Sequence, residues 1–351
     1  MSLNIILNST SKSDNNLNIL RTFFALNVLL YHCYALSNSA SLKFLNNVLN
    51  PDLAVQGFFI ISGFLIPQSY ERAKSIKEFF EKRLRRLYPA YITIIILSAL
   101  LGVFFSNFEF KQYFLSVQLY QYVAANAIFL NFLQQKLPGV FDNNLFSAVN
   151  GSLWTLKIEV AFYLIVPIII FFKRKYKANI LYPILILISL TYYLITIKIF
   201  KDSGNEFYLF LSRQLPGQLF FFLIGAWFIE FKDHQLTKKL LRIIGPLTVI
   251  MMFINVFAIL KIILLPFFVF YLAFGLPELK YPFYREDISY GLYIYHFPVI
   301  QIIVQLGFFH QQPFEALFWS LFITTFLAIC SWKLIEKPVL YNGGRIRKTI
   351  G

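Results

Sequence analysis

Four ionisable side chains lie in stretches otherwise built from apolar residues: Arg21, His32, Glu159 and His296. A charge at mid-bilayer costs about 2.5–3.5 kcal/mol on insertion scales, so such residues mark functional sites by default. Imidazole gains and loses its proton near neutral pH, and a carboxylate behind it can orient the ring and stabilise its cation. Arg21 and His32 stand eleven residues apart in sequence. At 3.6 residues per turn they share one helix face to within about 20°, roughly 16 Å apart in depth. Glu159 closes the run Asn150-Gly151-Ser152-Leu153-Trp154-Thr155-Leu156-Lys157-Ile158-Glu159. It falls about one and a half turns into its apolar segment, where a lone carboxylate needs a partner; His32 is the expected one. Arg83 and Arg86 share a face at i, i+3 with Arg85 beside them, and guanidinium forks match phosphate oxygens. His296 sits in Ser289-Tyr290-Gly291-Leu292-Tyr293-Ile294-Tyr295-His296-Phe297-Pro298.

Each residue also has a plainer reading. Arg21 can snorkel to the inner interface, and His32 can bond across helices. Glu159 can pair with Lys157 or with headgroups. Arginines clustered at an inner membrane edge are what topology and anionic lipid already require. The Tyr/His cluster at His296 suits an aromatic interface belt as well as a ligand. Glu336 is read as a structural ion pair with a nearby lysine rather than a catalytic acid. Ser62-Gly63 is read as a close helix contact.

The elements that hold these residues follow from composition. Of 351 residues, 58% are hydrophobic and 14% charged, against about 50% and about 25% in soluble domains. The class is all-α, a polytopic membrane protein. Two cysteines, Cys33 and Cys330, exclude a disulfide scaffold and a Cys-type zinc site, and no metal is expected. Apolar runs long enough to span a bilayer are read near residues 20–36, 53–69, 88–106, 154–172, 179–199, 208–229, 243–259, 262–277, 289–308 and 314–334. That makes about ten transmembrane helices. The stretch from Ile243 to Leu276 is 34 residues; as one helix it would reach about 51 Å, so a break is placed near Lys261. Residues 1–18 read as a polar tail without a secretory signal pattern, 19–338 as the membrane domain and 339–351 as a second tail. Phe110–Phe132 reads as an external amphipathic or re-entrant piece.

Lysine and arginine decide orientation, because they concentrate on the cytoplasmic side of short loops. With the N-terminus inside, the inner segments hold 23 of them and the outer segments 5. Both termini are therefore expected in the cytoplasm. The same asymmetry accounts for the net charge of +15, so no nucleic-acid partner is expected. No Walker loop, GxGxxG, HExxH or GxSxG occurs, which leaves nucleotide hydrolysis, dinucleotide redox chemistry and zinc hydrolysis without a motif. Two other classes stay open from the residues alone. A transporter or flippase for a lipid-linked glycan predicts repeated halves and broken helix pairs. A non-catalytic scaffold does not need Arg21, His32 and Glu159 in apolar spans.

Taken in order, the motifs resemble the acyltransferase-3 family of membrane-integral O-acyltransferases. They are Arg21-x10-His32, Gly57-Phe58-Phe59-Ile60-Ile61-Ser62-Gly63-Phe64, Arg83-x-x-Arg86-x-x-Pro89, Trp154-Thr155-Leu156-x-x-Glu159-x-x-Phe162-Tyr163, Ser289-Tyr290-Gly291-x-Tyr293 through His296-x-Pro298, and Ile335-Glu336-x-Pro338. The resemblance covers residues 18–338 and is to the membrane-only type. Asn18 stands where the family often has an acid, Thr22 where it often has Gly, and Thr155 where Ser is frequent. The resemblance implies a ten-helix core in the cytoplasmic (inner) membrane. It implies transfer of an acyl group, most often acetyl from acetyl-CoA, to a hydroxyl of a surface carbohydrate such as O-antigen, capsule or exopolysaccharide. Expected partners are a carbohydrate or lipid-linked glycan acceptor and membrane lipid. The expected catalytic residues are His32 as general base, Glu159 as its orienting acid, and Arg21. Arg83, Arg86 and Arg85 are expected to hold the phosphates of the acyl donor. Trp154, Ser152, Tyr290 and His296 are expected to contact the acceptor.

Overall fold

The computed structural model describes residues 15–254, 258–280 and 286–342. The N-terminal tail before residue 15 and the C-terminal tail after residue 342 lie outside the described residues. Apart from one isolated bridge between Ser106 and Val140, the described residues form helices and connecting loops.

Among the described residues, ten helices of 13 residues or more follow in chain order. They are α1 Leu17–Ser37, α2 Pro51–Glu71, α3 Ile76–Leu101, α4 Trp154–Lys175 and α5 Ala178–Ser203. Then come α6 Leu215–Phe231, α7 Gln235–Phe253, α8 Ala258–Phe270, α9 Ser289–Gln305 and α10 Pro313–Ser331. Local chemistry sets their ends. Asn15 Oδ1 accepts from Leu17 N–H at 3.1 Å, and Ser75 Oγ accepts from Glu78 N–H at 3.1 Å; both satisfy donors that a helix start leaves open. Gly204 ends α5 in the left-handed region at φ 67°.

Among the described residues, seven helical segments are long and apolar enough to cross a membrane: Leu17–Ser37, Pro51–Glu71, Ile76–Phe105, Gly151–Lys175, Ala178–Ser203, Glu206–Phe231 and Pro313–Tyr341. The other three expected spans are also helical, but each falls short for a visible reason. α7 carries Lys238, Lys239 and Arg242 in its first half. α8 and its π-helical continuation give an apolar stretch of only Ile259–Gly275. α9 has 17 residues, about 26 Å at 1.5 Å per residue.

The break between α7 and α8 corrects the sequence expectation. α7 ends at Phe253, and Lys261 lies inside α8. The Lys261 ammonium donates to the Met252 carbonyl at 3.2 Å. It therefore satisfies a carbonyl that the end of α7 leaves open rather than marking the break itself. The segment expected to be external contains two short helices, Phe110–Leu115 and Val117–Ala127, joined at Ser116.

The chain divides into two compact units. The first comprises residues up to 21, 52–79 and 158–285. Here α2 and α6 approach through glycines: a Cβ on Gly63 would lie 1.9 Å from the Phe222 carbonyl oxygen, and one on Gly225 2.1 Å from that of Ile60. Phe162 stacks on Phe222 at 4.3 Å and Phe228 on Phe270 at 3.7 Å. Asn16 anchors the start of α1 by donating to the carbonyls of Leu272 and Pro277 and accepting from Leu279 N–H.

The second unit comprises residues 22–51, 80–157 and 286–351. Its centre is α9, buried on every face from Ser289 through Gln301. A helix enclosed all round is an interior helix. By contrast, α10 shows Phe318, Phe322 and Phe326 on its exposed side, the surface a lipid-facing helix presents.

Candidate active site

In the second unit, α1 and α9 bring two histidines together across 264 positions of sequence. His32 Nδ1 lies 2.8 Å from His296 Nε2. The ring centroids are 5.0 Å apart and the planes differ by 11°. Two nitrogens this close, on rings this far apart, place the contact edge to edge near a common plane, as a ring N–H···N bond requires. His296 is fully buried, whereas His32 is half-buried. The His296 Nδ1 lies 3.2 Å from the Leu292 carbonyl oxygen. Phe297 meets the edge of the His32 ring at 5.3 Å, and Tyr293 meets His296 at 5.8 Å.

The position of His296 follows from a backbone requirement. Pro298 has no N–H, so the carbonyl four residues earlier, Ile294, loses its helical partner. Asn150 Nδ2 donates to that carbonyl at 2.8 Å. Asn150 Oδ1 in turn accepts from Ser152 Oγ at 2.6 Å. Thr155 Oγ1 donates to the Ser152 carbonyl at 3.1 Å and lies 3.0 Å from the Tyr293 hydroxyl. Two turns further along α9, Gln301 Nε2 donates to the carbonyls of Phe146 and Ala148, and Asn144 Nδ2 donates to Gln301 Oε1. The segment 144–155 is thus fastened along α9 by satisfied buried polar groups. Gly151 fits beneath Phe297, where a Cβ would lie 2.8 Å from the ring.

A second cluster gathers around Arg86. Its guanidinium pairs with Asp287 through Nη2 and lies 3.5 Å from Glu336 Oε2 through Nη1. It sits 6.0 Å from the Tyr290 ring and 5.7 Å from the Trp332 ring. Glu336 is 1% exposed and also accepts from Ser331 Oγ at 3.0 Å. The Tyr290 hydroxyl donates to the Leu87 carbonyl at 2.7 Å. The expected Glu336 ion pair exists, with a corrected partner: Arg86 reaches it, while Lys337 pairs with Glu286 at 3.4 Å.

The other expected residues lie on α1, α3 and α4. Arg83 is half-buried on the same turns of α3, and Arg85 lies 4.0 Å from Glu81 at 40% side-chain exposure. Trp154 starts α4 and is half-buried. Arg21 lies one turn into α1 and Glu159 on α4, both in the first unit. Glu159 Oε1 accepts from the Tyr163 hydroxyl at 2.7 Å, one turn along its own helix.

Asn150, Gln301 and Asp287 carry these arrangements and were not singled out from sequence. One signal was available: Pro298 inside an apolar helix demands an outside donor for Ile294.

The family model described as "Acyltransferase domain" matches residues 14–335. The chain belongs to the acyltransferase-3 family. It is accordingly an acyltransferase. Among curated relatives of this acyltransferase, Nodulation protein 10 of Rhizobium leguminosarum bv. viciae is 26% identical, over 94% of each chain. The O-acetyl transferase of Shigella phage Sf6 is 28% identical, over 91% of this chain and 94% of its own length. The O-acetyltransferase OatA of Staphylococcus aureus is 25% identical, over 92% of this chain and 57% of its own length. No solved structure matches this member of the family.

Proposed function

We propose that this acyltransferase carries acetyl from acetyl-CoA to a hydroxyl of a cell-surface carbohydrate, with His32 as general base. The single observation that carries the reading is a half-buried imidazole hydrogen-bonded to a second, fully buried one inside an apolar bundle of this family. The relatives named O-acetyl transferase support acetyl and oxygen as the group and atom.

The step balances as follows. His32 removes the proton of the acceptor hydroxyl while that oxygen attacks the thioester carbonyl. The new C–O bond forms, the C–S bond breaks, and the proton returns from His32 to the leaving thiolate. A positioned base of this kind contributes about 10²–10⁴-fold. Arg83 and Arg85, on the half-buried and exposed turns of α3, are the phosphate contacts we favour for acetyl-CoA. Arg86 holds its guanidinium on Asp287 and Glu336, so it shapes that surface and meets a phosphate only by exchange with a carboxylate. Arg21 and Glu159 keep, in this reading, the catalytic roles that the family resemblance implies. Trp154, Ser152 and Tyr290 belong to the acceptor side of the same reading.

The topology we favour has ten passes through the cytoplasmic membrane and both termini inside. Seven helical segments of membrane length, three shorter or more polar helices at the other expected places, and basic residues in alternate loops support it.

The test is purified protein in proteoliposomes with labelled acetyl-CoA and a bacterial surface glycan. Wild type should release CoA and label the glycan, while His32→Ala should lose both with unchanged yield. Glycan labelling retained by that variant overturns the assignment of His32.

A further inference from the structure

We propose that His296 is a positioning residue that holds the proton of His32 on Nδ1 and thereby puts the working lone pair on Nε2. The proposal takes the acyl-transfer reading above as its setting, but its evidence is the geometry of the pair.

A carbonyl oxygen only accepts hydrogen bonds. The His296 Nδ1 lies 3.2 Å from the Leu292 oxygen, so that nitrogen carries a hydrogen; a bare nitrogen there would set two lone pairs against each other. A second hydrogen on Nε2 would make His296 a cation. His296 is 0% exposed, and its neighbours are the backbone carbonyls of Leu292 and Tyr293 and the His32, Tyr293 and Phe297 rings. These neighbours contribute no carboxylate to offset a buried charge. His296 therefore presents a bare Nε2, which accepts across the 2.8 Å contact. The donor must be His32 Nδ1–H. In a neutral imidazole the other nitrogen is then the acceptor, which is Nε2 of the half-buried ring.

The arrangement has the logic of an acid behind a histidine base, with an imidazole in the acid's place. When His32 Nε2 takes the hydroxyl proton, the bond from Nδ1–H to His296 becomes charge-assisted and shortens. His296 neither gains nor loses a proton. The segment holding Asn150 makes the device rigid, since it replaces the helix bond that Pro298 removes two residues beyond His296.

The experiment reads the tautomer directly. The chain has four histidines, so ¹⁵N-histidine labelling of the full protein in lipid nanodiscs gives few signals, and His32→Ala assigns one. We expect His32 with hydrogen on Nδ1 and a bare Nε2. His296→Gln, whose amide oxygen can accept at the same place, should keep that tautomer. His296→Leu should shift His32 toward the form with hydrogen on Nε2 and lower CoA release from acetyl-CoA by about 10²-fold, the lower end of what a positioned base supplies. Recovery of most of that loss in His296→Gln supports positioning over packing. A wild-type spectrum with hydrogen on His32 Nε2, or an unchanged His32 tautomer in His296→Leu, overturns the proposal. Absence of CoA release by wild type would instead sink the acyl-transfer reading and leave the tautomer result standing.

Discussion

The two units hold their helices together by different means. In the first, α2 and α6 touch backbone to backbone at Gly63 and Gly225, with flat stacks of phenylalanine around them. Its ion pairs lie toward helix ends: Lys173 with Glu71 and Glu230, and Arg213 with Asp52. In the second, α9 is wrapped in side-chain amides, hydroxyls and rings that satisfy one another. Lipid tails are as apolar as leucine, so burial alone does not drive helices together in a membrane. Close van der Waals contact and buried hydrogen bonds remain; the glycine contact of α2 with α6 shows the first, and the segment 144–155 along α9 shows the second. Dispersion contacts tolerate small shifts, whereas hydrogen bonds fix a side chain in angle and distance. The hydrogen bonds along α9 are the ones that lie beside the two histidines.

The largest effects should separate these two kinds of packing. His32→Ala should reduce acetyl transfer by about 10²–10⁴-fold while the folded yield, read by size-exclusion chromatography in detergent, stays near wild type. Gly63→Val should do the reverse. Its Cβ would fall 1.9 Å from the Phe222 oxygen, on backbone that can only move by parting two helices. Overpacking costs about 1–3 kcal/mol where side chains can adjust, and more is expected here, seen as loss of monodisperse protein. Equal loss of folded yield in both variants would erase the distinction.

Arg86 comes next. Arg86→Ala strips two carboxylates of their partner, one of them, Glu336, 1% exposed. Breaking a buried pair costs about 3–5 kcal/mol; with Arg86 itself 19% exposed, about 2–3 kcal/mol is the expected loss in a detergent-unfolding assay. Glu336→Gln keeps the hydrogen bond with Ser331 and leaves Asp287 on Arg86, so its loss should be smaller. A larger loss in the Gln variant would mean that Asp287 is not the main partner.

Much of this was legible in the amino-acid sequence. Every expected span contains a helix, because apolar runs of membrane length have few alternatives. Gly63 was legible as a close contact, His32 and His296 as polar groups in apolar runs, and Glu336 as one half of an ion pair. The pairings were not. His32 and His296 are 264 residues apart, and helical periodicity relates only residues on the same helix. The interior position of α9 was hidden for a similar reason. A single helix, even one carrying polar groups such as His296 and Gln301, reads alike whether lipid or protein surrounds it, and only its neighbours in the fold tell them apart. The shift of the break from Lys261 to the end of α7 shows a third limit. A lysine in an apolar run looks like a loop residue until a carbonyl nearby is seen to need a donor.

A smaller effect tests whether Asn150 serves α9 as argued. Asn150→Ala leaves the Ile294 carbonyl buried without its donor, a cost of about 1–3 kcal/mol. Pro298→Ala supplies a backbone N–H that can close the helix bond to the same carbonyl. The double variant should therefore lose less than the two single losses added together, a coupling of about 0.5–3 kcal/mol in a double-mutant cycle. Strict additivity would show that the amide contact and the missing helix bond are unrelated.

The smallest effect belongs to the exposed side of α10. Phe322 is 55% exposed, and in a bilayer it would face acyl chains rather than protein. Phe322→Leu exchanges one apolar surface for another against the same solvent, so stability should move by less than about 0.5 kcal/mol and transfer should be unchanged. The same substitution at Phe297, which is 5% exposed and packs against the His32 ring, removes an aromatic edge from the pair itself. It should lower transfer several-fold at constant folded yield. If the two leucine variants behave alike, then the enclosure of α9, and not merely its polar partners, ceases to explain why the histidines are held there.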